Sequence, residues 1–150
     1  MAEENNNPSF GILSQSVKDL SFENFVDLSF RPDDNAEPKM DIQVKVNTNK
    51  AEQENVYSVD LMLKVNAKAG SASIFLLELT YGGFFVLENF KDELMAQLLN
   101  IECPRLLFPF ARAVVASTVA SGNMPMPLLP PIDFAELYFN SLKEEGAEQA

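Results

Sequence analysis

The chain of 150 residues contains no histidine and no tryptophan, and its only cysteine is Cys103. Histidine is the usual general base near neutral pH and the commonest metal ligand, so the chain lacks the residue most often used for either role. A lone cysteine excludes an intrachain disulfide, and without histidine it does not form the usual thiolate–imidazolium pair. The sequence also lacks a phosphate loop, a dinucleotide fingerprint and a calcium loop. We therefore expect no catalysis, no cofactor and no metal site, and a reducing cytoplasmic location.

Basic residues are scarce as well: 11 Lys and Arg stand against 22 Asp and Glu, for a formal net charge of −11. A nucleic-acid surface needs clustered bases, which are absent, so we predict no nucleic-acid partner. The acidic, polar N-terminus does not resemble a secretory leader. No apolar run is both long and proline-free enough to be expected to span a bilayer, which predicts no membrane insertion. An acidic protein stays soluble and attracts basic partners.

One segment departs from this acidic composition. Residues 103–132 contain no carboxylate, two arginines and six of the nine prolines. They combine a helix-like apolar stretch with a loop rich in Met, Leu and Pro. Surface loops are usually polar, because an apolar loop leaves apolar side chains in water. This loop therefore either covers the core of the domain or binds a partner, and the spacing of its residues favours neither alternative.

The first half of the chain alternates apolar and polar residues, as half-buried strands do. Two runs carry the pattern, namely Ile42, Val44, Val46 and then Val59, Leu61, Leu63, Val65. The polar link 47–55 is expected to close a hairpin between them. A fourth strand is predicted over 17–23, with a register that the pattern leaves open.

A further strand is predicted from about Ala72 to Tyr81. It is apolar on both faces apart from Glu78, which indicates cover on both sides. In a single-layer sheet, another copy of the protein would provide the second cover. Gly82 and Gly83 predict a bend or bulge after this strand.

The second half changes to a helical period. Leu94, Leu98 and Ile101 follow the spacing i, i+4, i+7. A helix is predicted from Phe108 to about Ser121, with a left-handed stop at residues 122–123. A last helix begins at Asp133, which forms a capping box with a glutamate three residues later. Strands followed by helices indicate an α+β fold with antiparallel pairing.

This organisation predicts one domain. Residues 10–142 form it, after a disordered N-terminus at 1–9 and before a flexible acidic tail at 143–150.

Four segments are distinctive: residues 102–112 (ECPRLLFPFAR), 129–138 (LPPIDFAELY), 17–24 (VKDLSFEN) and 78–85 (ELTYGGFF). Together they resemble the SecB family of protein-export chaperones. The resemblance extends in order over about residues 10–142. It is interrupted after the first strand, where residues 25–28 (FVDL) replace a proline-containing turn that is common in the family.

The resemblance implies a four-stranded antiparallel sheet with helices packed on one side, assembled as a homotetrameric dimer of dimers. It implies an ATP-independent holdase that keeps unfolded precursor proteins competent for translocation and delivers them to the SecA motor. SecA contacts are implied at Asp19, Glu23, Leu76 and Glu78. We predict that the acid-poor segment lines the client groove, through Phe108, Phe110, Met124, Met126, Leu128 and Leu129.

Two other functions remain open at this point. One is a small-molecule carrier or an enzyme on an α+β scaffold, with the Met- and Pro-rich loop as a lid over an apolar pocket. The other is a structural assembly protein with the same tetramer and no client binding.

Overall fold

The structure, a computed structural model, describes residues 6–30, 37–124 and 129–149. Its four strands are β1 (Ser9–Asn24), β2 (Pro38–Lys50), β3 (Val56–Ala69) and β4 (Ala72–Glu88). They form one antiparallel sheet in the order β1-β4-β3-β2. The predicted four-stranded antiparallel sheet is therefore confirmed, with β1 and β2 at its two edges.

Three helices follow the strands: α1 (Asp92–Gln97), α2 (Cys103–Ser121) and α3 (Phe134–Gln149). A π-helical segment, Leu98–Glu102, joins α1 to α2. The predicted start of the second helix at Phe108 is wrong, because α2 begins five residues earlier. Proline lacks the N–H that an interior helical residue donates, yet Pro104 lies in the first turn of α2 and Pro109 lies inside it. The predicted end is confirmed by Asn123, whose φ of 61° stops the helix.

The helical run Asp92–Ser121 spans 30 residues and is long and apolar enough to cross a membrane, contrary to the expectation drawn from its prolines. Core helices of soluble proteins share this length and composition. Here Leu107, Ala111 and Val115 are fully buried on one side of α2. These residues pack with the sheet in one hydrophobic core.

The predicted cap of the last helix is present. The backbone N–H of Glu136 donates a hydrogen bond to Oδ1 of Asp133 over 3.0 Å. The helix then continues through Gln149, so its last turns occupy the segment 143–150 that the sequence assigns to a flexible tail. At the other end of the chain, β1 begins at Ser9, within the segment 1–9 predicted to be disordered. The boundaries of the single domain otherwise remain a prediction.

All three helices lie on the same side of the sheet, which we call the inner face. Alternate residues of β3 and β4 point into this side and are buried: Val59, Leu61, Leu63, Val65, Phe75, Leu77, Leu79 and Phe85. Their neighbours along the strands point to the opposite, outer face. On that face Met62 and Glu78 are exposed and Leu76 is half-buried. The additional cover that the apolar strand predicts, from another copy of the protein, is outside the single chain and remains a prediction.

The predicted bend at Gly82 and Gly83 is wrong, because β4 continues through both residues in unbroken register with β3. Space explains the glycines instead. A Cβ at Gly83 would lie 3.1 Å from Cδ2 of Leu107 on the inner face, and a Cβ at Gly82 would lie 2.5 Å from Oδ1 of Asp60 on the outer face. The bulges of β1 lie on either side of the residues paired with these glycines, between Ile12 and Ser14 and between Val17 and Asp19.

Candidate functional site

The four residues implied in SecA contact come together on the outer face. Glu23 on β1 is paired directly with Leu76 on β4, and Ser21, two residues earlier, is paired with Glu78. Asp19 is paired with Thr80 in the next position. Paired residues of antiparallel strands point to the same side of the sheet, at about 5 Å between neighbouring strands. Asp19, Glu23, Leu76 and Glu78 therefore form one patch, which we call the acidic surface.

A β-bulge at Lys18 creates this arrangement. Val17 is paired with Tyr81 and Asp19 with Thr80, so Lys18 is an extra residue in β1. Simple alternation would place Val17 and Asp19 on the same face. The bulge instead turns Val17 inward and Asp19 outward, and the register of β1 that the sequence left open is resolved in this way.

An ion pair holds the bulge against the sheet. The Nζ atom of Lys18 lies 2.9 Å and 3.0 Å from the two carboxylate oxygens of Asp60 on β3. The side chain of Lys18 thus crosses β4 directly above Gly82, where any Cβ would lie only 2.6 Å from its Cδ atom. The pair ties edge strand β1 to β3, and it neutralises the Asp60 charge beside the acidic surface.

The carboxylates of the acidic surface are exposed and available. The side chains of Asp19, Glu23 and Glu78 are all exposed to solvent. Within the described residues, the two ion pairs closer than 4.0 Å are Lys18–Asp60 and Arg105–Glu102, so none of these three carboxylates has an ionic partner at that distance. A patch of uncompensated negative charge next to the half-buried Leu76 suits a basic partner that also carries an apolar side chain.

The residues predicted for the client groove separate into four groups. Phe110 is 50% exposed on the side of α2 that faces away from the sheet, next to Leu106 at 45%. Met124 is half-buried against the core. Met126 and Leu128 lie outside the described residues.

Phe108 and Leu129, by contrast, lie in the core of the single chain, at 8% and 2% exposure. The Phe108 ring packs edge-on against the Phe134 ring with centroids 6.0 Å apart, and the Arg112 guanidinium lies 5.8 Å from its centroid on the solvent side. These two side chains lack the exposed surface that the predicted client contact requires. Their client role remains a prediction that needs the core to open.

A groove that the sequence did not indicate lies between edge strand β2 and helix α3. It encloses about 440 Å³ and is lined by residues that include Val44, Val46, Asn100, Leu137, Tyr138 and Leu142. The alternation in β2 and the apolar stripe of α3 were visible in the sequence, but both patterns point to the core. Only the edge position of β2 leaves its inner-facing side chains half-buried.

A second uncovered apolar area lies at the opposite edge. Four inner-facing residues of β1 are 37–44% exposed, because α2 covers this strand mainly at its end, beside Phe22 and Asn24: Phe10, Ile12, Val17 and Leu20. Together with Leu106 and Phe110 on α2, they give the inner side of the chain a broad apolar area in contact with solvent. We call these six residues the β1–α2 surface.

The single cysteine is buried. Cys103 is fully buried at the start of α2, and desolvation, together with the negative charge of Glu102, raises the pKa of its thiol to about 12. A thiol in this state is a poor nucleophile at neutral pH. Residues 6–30, 37–124 and 129–149 contain no group of three or more Cys, Asp or Glu side chains that could hold a metal ion.

Comparison with known proteins identifies relatives of this chain. The sequence pattern of the family described as preprotein translocase subunit SecB matches residues 3–145. The protein-export protein SecB of a Bradyrhizobium strain is 39% identical over 142 residues, which cover 95% of this chain and 87% of the relative. The protein of the same name from Bartonella quintana is 42% identical over 148 residues, covering 96% and 92% of the two chains.

A solved structure shares the fold. It is a SecB-like chaperone from Mycobacterium tuberculosis in complex with an antitoxin peptide, and it superposes with a TM-score of 0.67 over 82% of this chain and 90% of that chain. The sequence identity is 11%, so this similarity supports the fold alone. With the family pattern and the relatives extending over nearly the whole chain, the protein belongs to the SecB family of protein-export chaperones.

Proposed function

We propose that this protein is an ATP-independent holdase that binds unfolded precursor proteins in the cytoplasm and delivers them to the SecA motor, without catalytic activity of its own. The observation that carries the proposal is the uncovered apolar surface on the inner side, at both edges of the sheet. Exposed apolar patches of this extent are unusual in monomeric proteins and mark sites of interaction. An unfolded chain supplies the apolar side chains that such patches bury.

The groove between β2 and α3 is the place we propose for the client. Its walls combine Val44 and Val46 with Leu137 and Leu142, and it opens at a sheet edge. Burial of apolar area contributes about 25 cal/mol per Å², so many irregularly spaced client side chains can bind there without sequence readout. The mycobacterial SecB-like chaperone was solved with a bound peptide, which is consistent with a peptide-binding role for this fold.

The β1–α2 surface is the part we assign to self-assembly into a tetramer, as a dimer of dimers. On its outer edge, strand β1 has backbone N–H and C=O groups without a neighbouring strand in the described part of the chain, and a second copy of β1 offers matching groups. The exposed side of α2, with Leu106 and Phe110, would then pack against another copy. Four copies would present several client grooves on one particle, and weak contacts would add through effective concentration.

The acidic surface is the part we assign to SecA. It lies on the outer face, away from both the proposed client groove and the helices. We expect Asp19→Lys with Glu23→Lys to weaken SecA binding while leaving client holding unchanged, because both side chains are exposed and touch neither surface. Equal loss of both activities would refute the assignment.

The holdase proposal is tested by mass and by aggregation. We expect a particle of four times 16.7 kDa in sedimentation, and suppression of the aggregation of a slow-folding precursor at stoichiometric ratios without ATP. A monomer that leaves aggregation unchanged would refute the proposal. A tetramer without any effect on aggregation would favour a structural assembly protein, and saturable thermal stabilisation by one metabolite would favour the carrier.

A further inference from the structure

The outer face carries basic as well as acidic side chains. In two adjacent rows across the middle of the sheet, each strand presents one charged side chain, and the sign changes from negative to positive between β4 and β3. In spatial order they are Asp19 on β1, Glu78 on β4, Lys64 on β3 and Lys45 on β2. All four are exposed, and none belongs to an ion pair closer than 4.0 Å within the described residues.

These charges lie in two adjacent rows of the sheet. One row joins Asp19 to Lys45 through the pairs Asp19–Thr80, Thr80–Met62 and Met62–Lys45. The other row brings Glu78 opposite Lys64. Met62 is 37% exposed between the acidic and the basic half.

The two rows line a single shallow depression of about 350 Å³ that crosses all four strands. Its acidic end is Asp19 and Glu78, and its basic end is Lys64 and Lys45. The neighbouring Lys18 and Asp60 neutralise each other, so the acidic and basic ends of the depression remain distinct.

We infer that the outer face binds an extended protein segment of split charge, with basic residues at one end and an acidic residue at the other. The inference rests on the proposed function, since it defines the chemistry of the partner at the acidic surface. Neighbouring strands lie about 4.8 Å apart, so Asp19 and Lys45 are separated by roughly 14 Å across three intervals. An extended peptide advances about 3.3 Å per residue, which places its opposite charges about four residues apart. Met62 offers an adaptable apolar contact between them.

The lysines have a second possible role, which is to pair with the acids of the same sheet. Lys64 stands opposite Glu78, and such cross-strand pairs stabilise a sheet modestly. Lys45 stands opposite Met62, without an acid across the strand pair, so it distinguishes between the two roles. Its substitution removes a contact with the partner and leaves the pair Lys64 and Glu78 in place.

The test uses pairs of labelled peptides that carry the same Arg-Arg cluster and differ in one residue four positions away, either Glu or Gln. One pair has this residue on the N-terminal side of the cluster and one on the C-terminal side, because the direction of the segment is not fixed by the sheet. Binding to the full-length protein is measured by fluorescence anisotropy.

Bulk electrostatics favour the more basic Gln peptides, since the protein carries a net charge of −11. We expect the opposite, with one Glu peptide binding about two- to five-fold more tightly than its Gln partner, as expected for an exposed ion pair.

Lys45→Gln should abolish this preference without weakening the Gln peptide. Lys45 also borders the β2–α3 groove, so Lys64→Gln, which changes a residue of the depression that does not line that groove, should reduce the preference as well. Lys39→Gln, at the end of the same strand and outside the depression, is the matched control and should retain the preference. Tighter binding of both Gln peptides by the wild type, or no binding of any peptide, would overturn the inference. The assignment of SecA to the acidic surface is tested separately. It would be refuted if SecA and the Gln peptides bound the double variant Asp19→Lys, Glu23→Lys as tightly as they bind the wild type.

Discussion

The two faces of the sheet are built from the same strands but have different roles. Along β3, Leu61 and Leu63 are buried on the inner face, whereas Met62 and Lys64 between them are exposed on the outer face. Along β3 and β4 the inner face is covered by the helices, so its buried side chains there determine stability. The outer face packs against little within the chain, so its side chains are available for recognition. At the centre of the sheet, side chains that stabilise the fold therefore alternate with side chains available for recognition, with the two-residue period of a strand.

The largest expected effect comes from removing inner-face volume. Leu63→Ala should lower the free energy of unfolding by about 2–5 kcal/mol, because it leaves a cavity in a packed core. Met62→Ala, one residue earlier on the outer face, should change it by less than about 0.5 kcal/mol. Urea denaturation at one fixed protein concentration measures both, since assembly makes stability concentration-dependent. Similar losses in the two variants would break the distinction between the faces.

A smaller effect is expected at Gly82, where the outer face is tightly packed. Gly82→Ala introduces a Cβ 2.5 Å from Oδ1 of Asp60 and 2.6 Å from Cδ of Lys18, so one of these side chains must move. The variant should lose about 1 kcal/mol or less, the range of a partly exposed ion pair, and the loss should shrink at high salt.

The same substitution is compared in an Asp60→Ala background, where the added methyl group no longer meets the Asp60 carboxylate. Gly82→Ala should cost clearly less there than in the wild type, as a double-mutant cycle would measure. Equal cost in both backgrounds would show that Gly82 is required for another reason.

The smallest effect on stability should come from the acidic surface. Glu23→Gln and Glu78→Gln remove exposed charges that have no ionic partner within 4.0 Å in the described part of the chain, so the free energy of unfolding should change by less than about 0.5 kcal/mol. SecA binding, measured by calorimetry at low salt, should weaken. A loss of stability comparable with that of Leu63→Ala would mean that the outer face supports the fold.

Much of the fold was predictable because its patterns are local. The alternation in β2 and β3 predicted two strands, and the spacing of Asp133 and Glu136 predicted the helix cap that the structure contains. The bulge at Lys18 was not predictable, since it depends on an ion pair with Asp60, 42 residues away. The continuity of the helices was obscured by Pro104, which the structure places at the junction of the π-helical segment and α2.

The candidate site was predictable to a lesser degree. Residues at positions 19 and 23 have the same parity along a strand, so their common face followed from spacing. Phe108 and Phe110 could not be distinguished, because a helix turns about 200° between them and a uniformly apolar segment does not tell which side faces the sheet. The groove beside β2 was missed for a related reason, since its residues have the pattern of a core.

Sedimentation of a three-component mixture tests the separation of the two surfaces most directly. The protein is first saturated with an unfolded precursor, and SecA is then titrated in without ATP. Client groove and acidic surface lie on different sides of the sheet, so we predict one boundary that contains the protein, the precursor and SecA together. Stoichiometric release of the precursor as SecA binds would contradict the account, because it would place both partners on the same surface.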